Sequence, residues 1–270
     1  MTDADRSATT PVDDAAVARP GRPAEGPLPD VRDEARRVIK AADAAGARAR
    51  VVGGVAVALH DHLELPASLV RPYADIDLAV QAGAESALAQ VLAELGYEPD
   101  RKFNALYGYR RMLFWDRPNQ RQLDVFVGRF SMCHKLDFKG RLGAGNTLTP
   151  ADLLLTKLQI VELNPKDVVD ALALVVSHEL GDEARGDVLG LDRLEAVTAG
   201  DWGWFTTASD SLARIRERVD VAGPLADVAA QRLDAIAASI DLAPKSLRWR
   251  ARARVGRRMP WYELPEEHVR

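Results

Sequence analysis

Two aspartates one residue apart, Asp75 and Asp77, stand in the otherwise apolar run Asp75-Ile76-Asp77-Leu78-Ala79-Val80, just after Arg71-Pro72-Tyr73-Ala74. A strand turns alternate side chains to opposite faces. The spacing therefore puts both carboxylates on one face and sends Ile76, Leu78 and Val80 to the other, into a core. Two carboxylates held side by side repel, and a divalent cation offsets that repulsion most directly. Such a strand must bury one face and keep charge on the other.

The flanking sequence adds two features of the same kind. Upstream, Arg48 to Val52 reads as a short β-branched strand, followed by Gly53-Gly54 and then by apolar residues at helical spacing. Two glycines between a strand and a helix let backbone N–H groups approach a phosphate closely. Downstream, Leu123, Val125 and Val127 share one face of a strand over 121–127, and Asp124 shares the other with Phe126. The chain thus offers a glycine turn, a paired carboxylate and a third carboxylate on a separate strand.

In order and in context, Gly53-Gly54, Asp75-Ile76-Asp77 and Asp124 resemble the nucleotidyltransferase superfamily, whose pattern is a Gly-Gly or Gly-Ser turn, Asp-x-Asp, then a distal Asp on a neighbouring strand. The resemblance covers roughly residues 48 to 128. It implies that Asp75 and Asp77 hold two Mg²⁺ ions bridged by a nucleoside triphosphate, and that Asp124 ligates the catalytic ion and orients or deprotonates an acceptor hydroxyl. Gly53 and Gly54 would hold the β- and γ-phosphates, with Arg71 a further candidate. Gly54 stands where a serine is often found. The wording from Arg71 to Asp77 is similar to aminoglycoside and lincosamide nucleotidyltransferases.

Composition agrees with a soluble, cytoplasmic chain. Of 270 residues 47% are hydrophobic, yet no run reaches the ~20 apolar residues a membrane span needs. Residues 1–30 hold five prolines and no basic start followed by an apolar core. They read as a disordered leader, not a secretory signal. The single cysteine, Cys133, has no internal disulfide partner and reads as a packed residue.

Periodicity divides the remainder in two. Over 31–148 it predicts a helix from Val31 to about Gly46, strands at 49–52 and 75–80, helices at 54–63 and 84–95, and strands at 106–115 and 121–127 around the turn Asp116-Arg117-Pro118-Asn119. From Thr147 the pattern is helical. Thr149-Pro150 and Asn164-Pro165 open two helices, and others lie near 191–199, 203–219, 223–240 and 244–256. The expected fold class is α+β: a small mixed β-sheet nucleotidyltransferase core, then an all-helical C-terminal region over 149–270.

Lys157 lies on or beside an apolar helix face, between Leu153 and Leu154 one turn before it and Ile160 and Val161 one turn after. It either snorkels to water or finds an anion there. Asp167 and Asp170 share a face of the next helix. Asp167 is also the acidic third residue of a capping box, which leaves Asp170 the stronger functional candidate. The stretch Leu154 to Gln159 with Lys166-Asp167-Val168-Val169-Asp170 resembles the helical motif of AbiEii-type nucleotidyltransferases, toxins of type IV toxin–antitoxin systems. This similarity implies that Lys157 and Asp170, with Lys166 or Asp167, join the nucleotide pocket, and it makes a cognate antitoxin a candidate partner.

From Lys245 to the C-terminus eight Lys and Arg face three Glu, although the whole chain is −4. The segment Lys245 to Arg258, with Trp249, Trp261 and Tyr262, suits an RNA backbone and its bases, or else forms a solvated basic helix on an acidic body. His60 and His62, at i and i+2 with Glu64 nearby, face different directions on a helix and do not share an ion. Trp202, Trp204 and Phe205 read as core or packing between domains. His134 and His178 have no partner recognisable from sequence. Three functions fit: nucleotide transfer to RNA, in particular tRNA; transfer to a small molecule such as an antibiotic; or a non-catalytic nucleotide- or partner-binding module.

Overall fold

The computed structural model describes residues 26–60, 65–185 and 187–264. The expected leader lies outside them except for its last five residues. These are held in place: Arg121 donates to Leu28 O, Asn119 donates to Pro27 O, and Asp30 caps the first helix by accepting from the N–H groups of Arg32 and Asp33.

In chain order the first part runs α1 (Val31–Ala44), β1 (Ala49–Val52), α2 (Gly53–Leu59), β2 (Ile76–Val80), α3 (Glu85–Glu94), β3 (Glu98–Pro99), α4 (Arg101–Tyr107), β4 (Arg111–Asp116) and β5 (Arg121–Val127). A small hairpin follows, β6 (Arg129–Ser131) and β7 (Lys135–Asp137). The main sheet has the order β1-β2-β5-β4-β3, with β2 and β5 parallel and the other pairs antiparallel. It is the small mixed sheet that the sequence predicts. Ile76, Leu78, Val80, Leu123 and Val125 are fully buried in one cluster with Val38 and Ile39 of α1 and Leu88 and Leu92 of α3. The other sheet face carries Asp77, Gln122 and Asp124 among the apolar Ala79 and Phe126.

One expected element is corrected. The sequence predicts a strand over 106–115, but Arg101 to Tyr107 is helical and β4 starts only at Arg111. Asp100 decides this: its carboxylate accepts from Phe103 N at 3.0 Å and caps the turn. The turn after Asp116 stands where expected, joining β4 to β5.

The connection to the second part positions the candidate site. Residues 146–148 run beside β1, with Val51 N donating to Asn146 O at 2.8 Å and Leu148 N donating to Val51 O at 3.2 Å. Thr149 then caps α5 (Pro150–Leu158), so that helix begins at the edge of the sheet. Beyond it lie α6 (Pro165–Ser177), β8 (Leu180–Gly181), β9 (Leu189–Gly190), α7 (Leu191–Gly200), α8 (Trp202–Arg216), α9 (Ala226–Leu242) and α10 (Leu247–Ala253). The region is not all-helical: β8 and β9 pair in parallel, Leu180 opposite Leu189. Among the described residues no helix is long and apolar enough to cross a membrane.

Two-sided packing of β2 makes its core face costly to truncate. Leu78→Ala should lower stability by about 2–5 kcal/mol, read as a lower urea midpoint with an unchanged slope.

Candidate functional site

The parallel pairing of β2 with β5 sets Asp77 directly opposite Asp124. Adjacent residues in register project from the same face, so two carboxylates meet on neighbouring strands. Asp75 lies just before β2 and is exposed, whereas Asp77 is half-buried and Asp124 buried. Asp124 is held from both sides: Arg111 Nε donates to its Oδ1 at 2.8 Å and Gln122 Nε2 to its Oδ2 at 2.7 Å.

Gly53 is required by two independent facts. Its φ is +68°, in the left-handed region, and a Cβ there would overlap Asp77 Oδ2. Gly54 faces Arg71 and Tyr73 in the same way, since a Cβ would collide with the Arg71 guanidinium and the Tyr73 ring. The missing serine hydroxyl thus has a steric reason in this chain: the space is already filled.

A charged network stands behind the glycine turn. Arg71 forks onto Asp170, with Nε donating to Oδ1 at 2.8 Å and Nη2 to Oδ2 at 2.7 Å. The Arg71 guanidinium also lies over the Tyr73 ring, 4.3 Å from its centroid. Lys157 Nζ reaches Asp170 Oδ2 at 2.7 Å and Asp167 Oδ1 at 3.1 Å. Lys157 is buried, so it finds an anion and does not snorkel. Asp167 serves twice, because it also completes the capping box with Asn164. Lys166 is exposed at the start of α6, its backbone N–H bonded to the Asn164 side chain, and the described network does not include its side chain.

The electrostatics follow from this placement. Burial, and then the charges of Asp124 and Asp75, push the Asp77 carboxyl up to about 7, although Lys157 and Arg111 pull it down. Burial opposes ionisation of Asp170 as well, but Arg71 and Lys157 outweigh it and hold that carboxyl below its ordinary value. Burial likewise opposes the charge on Lys157, and Asp170 and Asp167 outweigh it and raise its pKa. One end of the site carries fixed cation–carboxylate pairs. At the other, Arg111 pairs with Asp124 while Asp77 lies directly against that carboxylate.

Sequence reasoning overlooked Tyr73, Arg111 and Gln122. Arg111 pairs with Phe126, which places it diagonally across from Asp124. The hairpin turn implies that register, but extending the strand back to 106 obscured it. Cys133 is buried, and burial raises its thiol pKa, which suits a packed residue. Trp204 is buried and donates to Lys135 O at 3.2 Å. His134 bonds Thr207 Oγ1 at 2.9 Å. His62 and Glu64 lie outside the described residues.

No model of a known protein family matches the chain, and no curated protein matches it significantly.

Two outcomes test the geometry. A raised folded pKa on Asp77 means its contribution is fully favourable below the unfolded value near 4 and is lost as pH rises through about 7. In metal-free buffer at pH 8, Asp77→Asn should therefore melt above the native chain, by roughly 5 °C. Added Mg²⁺ should raise the melting temperature of the native chain and leave that of the variant unchanged. Gly53→Ala should cost about 1–3 kcal/mol from backbone strain alone, with a further loss of Mg²⁺ stabilisation as Asp77 is displaced. Denaturant titration with and without Mg²⁺ measures both.

Proposed function

We propose that the protein is a metal-dependent nucleotidyltransferase of the polymerase-β-like class, moving a nucleoside monophosphate from a triphosphate to an acceptor hydroxyl. The observation that carries this reading is the register that sets Asp77 against Asp124, with Asp75 two residues away and Gly53 closing over the pair. Hard oxygen donors set side by side suit Mg²⁺, and the Asp77 carboxyl, raised by burial and then by the charges of Asp124 and Asp75, lies where a cation would restore its charged form. Each carboxylate oxygen has two lone pairs, so Asp124 keeps ligating capacity beside Arg111 and Gln122.

Asp75, Asp77 and Asp124 would hold the ions. When bound, Mg²⁺ supplies the charge that neutralises the triphosphate and the departing pyrophosphate. The chain's own groups do the rest. Asp124 aligns the acceptor hydroxyl and takes its proton as that oxygen attacks the α-phosphorus. Lys157, with Asp170 and Asp167 fixing its position, offers its remaining N–H toward the phosphates. Arg71 and Asp170 act as positioning residues, because their charges are committed to each other. Catalysis of this kind is mostly placement and charge neutralisation.

RNA is the favoured acceptor. A cleft of about 790 Å³ is lined by Trp202, Trp261, Tyr262, Arg248 and Arg252, and Arg252 lies over the Trp202 ring at 4.7 Å. Glu263 lines this cleft and also a second hollow that holds Phe126, Arg129 and Arg111. Arg111 is the residue bonded to Asp124. Stacking rings and arginines leading toward the carboxylates fit a single-stranded backbone and its bases.

The test offers α-labelled triphosphates with Mg²⁺ to total tRNA and, separately, to aminoglycosides and lincosamides. Label should pass to tRNA and fall by at least ~10²-fold in Asp77→Ala. Charge reversal at the exposed Arg248 and Arg254 should abolish RNA transfer first. Label on a drug would move the acceptor to small molecules. Normal transfer by a folded Asp77→Ala would refute the site.

A further inference from the structure

A second cluster of donors lies away from the carboxylates. His60 caps the C-terminal end of α2, His178 caps that of α6, and Asp187 stands in the loop between β8 and β9. His60 Nε2 is 3.0 Å from Leu148 O, and His178 Nδ1 is 3.0 Å from Leu174 O. A carbonyl oxygen only accepts, so each of these contacts places the ring proton on the nitrogen that makes it. In the neutral ring the lone pair then sits on the other nitrogen. Those other nitrogens, His60 Nδ1 and His178 Nε2, converge with a carboxylate oxygen of Asp187, all within 4.8 Å of one another.

The separations bear on what binds there. His178 Nε2 is 3.7 Å and His60 Nδ1 4.0 Å from Asp187 Oδ1. Both are too long for hydrogen bonds. An ion bound at about 2.0–2.2 Å by each donor would hold them roughly 3.3 Å apart in a tetrahedron. Drawing the exposed Asp187 carboxylate in by less than about an ångström would bring it to that distance from both rings. Anchoring each imidazole through its other N–H on a backbone carbonyl is the support that metal-ligating histidines use. Thr147 Oγ1 lies 2.5 Å from the same Nε2 and accepts a share of that N–H, which fixes the ring further.

We propose that His60, His178 and Asp187 form a binding site for a divalent transition metal of the zinc class, separate from the carboxylate centre. Two imidazoles and one carboxylate favour such an ion over Mg²⁺, and water completes its coordination. The ion ties three elements together. α2 starts at Gly53, beneath which Asp77 lies, and α6 carries Asp167 and Asp170. The metal would join the opposite ends of these two helices to each other and to the β8–β9 loop, making its role structural.

The full-length chain, stripped with chelator, would be titrated with Zn²⁺ by calorimetry and with Co²⁺ by visible absorption, alongside thermal melts. Native protein should take up one Zn²⁺ that millimolar Mg²⁺ does not displace, with a rise in melting temperature. That uptake should survive Asp77→Asn and weaken by at least ~100-fold in His178→Ala, more than the loss of a supporting hydrogen bond costs. The Co²⁺ spectrum should show imidazole ligation and disappear in the same variant. Asp187→Asn keeps the size of an exposed side chain and decides the matter if His178→Ala does not fold; its affinity should fall by roughly tenfold or more. No Zn²⁺ uptake, uptake abolished by Asp77→Asn, or unchanged uptake in the ligand variants would overturn the proposal.

Discussion

The side-by-side placement of Asp77 and Asp124 is the constraint to which the surrounding structure answers. Parallel pairing leaves the two carboxylates no room to turn away from each other, and the apolar alternates Ile76, Leu78, Leu123 and Val125 lock the register from the opposite face. A one-residue slip would bury the carboxylates and expose the core residues. Repulsion is therefore built in by hydrophobic burial, and the neighbouring groups follow from it. Gly53 lacks a side chain because Asp77 occupies the space. Arg111 and Gln122 brace Asp124 but leave Asp77 short of positive charge.

A second set of charges joins the sheet region to the helices. Asp170 is fully buried, yet it is matched by the bidentate fork of Arg71 and by Lys157. Pairs like this add little net stability, since desolvation consumes most of the Coulomb gain, but they are costly to break from one side. Their effect is geometric. Arg71 precedes β2, Lys157 ends α5 and Asp170 lies in α6, so one salt-bridge cluster sets three segments relative to the carboxylates. Asp152 does the same at the start of α5, where Arg141 and Arg193 meet it at 2.6 and 2.8 Å and Arg141 also reaches Glu183.

These clusters give a physical reason for the many charged residues that the helices bury. Asp152, Asp167, Asp170 and Lys157 all lie at or near buried positions of α5 and α6. In each case the partner comes from another element or from the facing helix. The long connection beside β1 carries Thr147 and Leu148, which hold His60, so the same strand edge supports α5 and the histidine cluster.

The sequence alone determined whatever depends on local period and local capping. The two-residue period of a strand made Asp77 and Asp124 face away from the core, and Thr149 and Asn164 marked the starts of α5 and α6 because an N-cap satisfies its own helix's N–H groups. For the same reason the strand misread at 106–115 was a local error too: Asp100 capped a helical turn where alternation suggested a strand. Only the tertiary structure decided which charges meet. Arg71 finds Asp170 across 99 positions, and His60 meets His178 and Asp187 only once α2, α6 and the β8–β9 loop have packed. Contacts of that range carry no period in the sequence. They are set by which helix lies against which strand edge, and burial of the apolar faces settles that before any side-chain charge finds its partner.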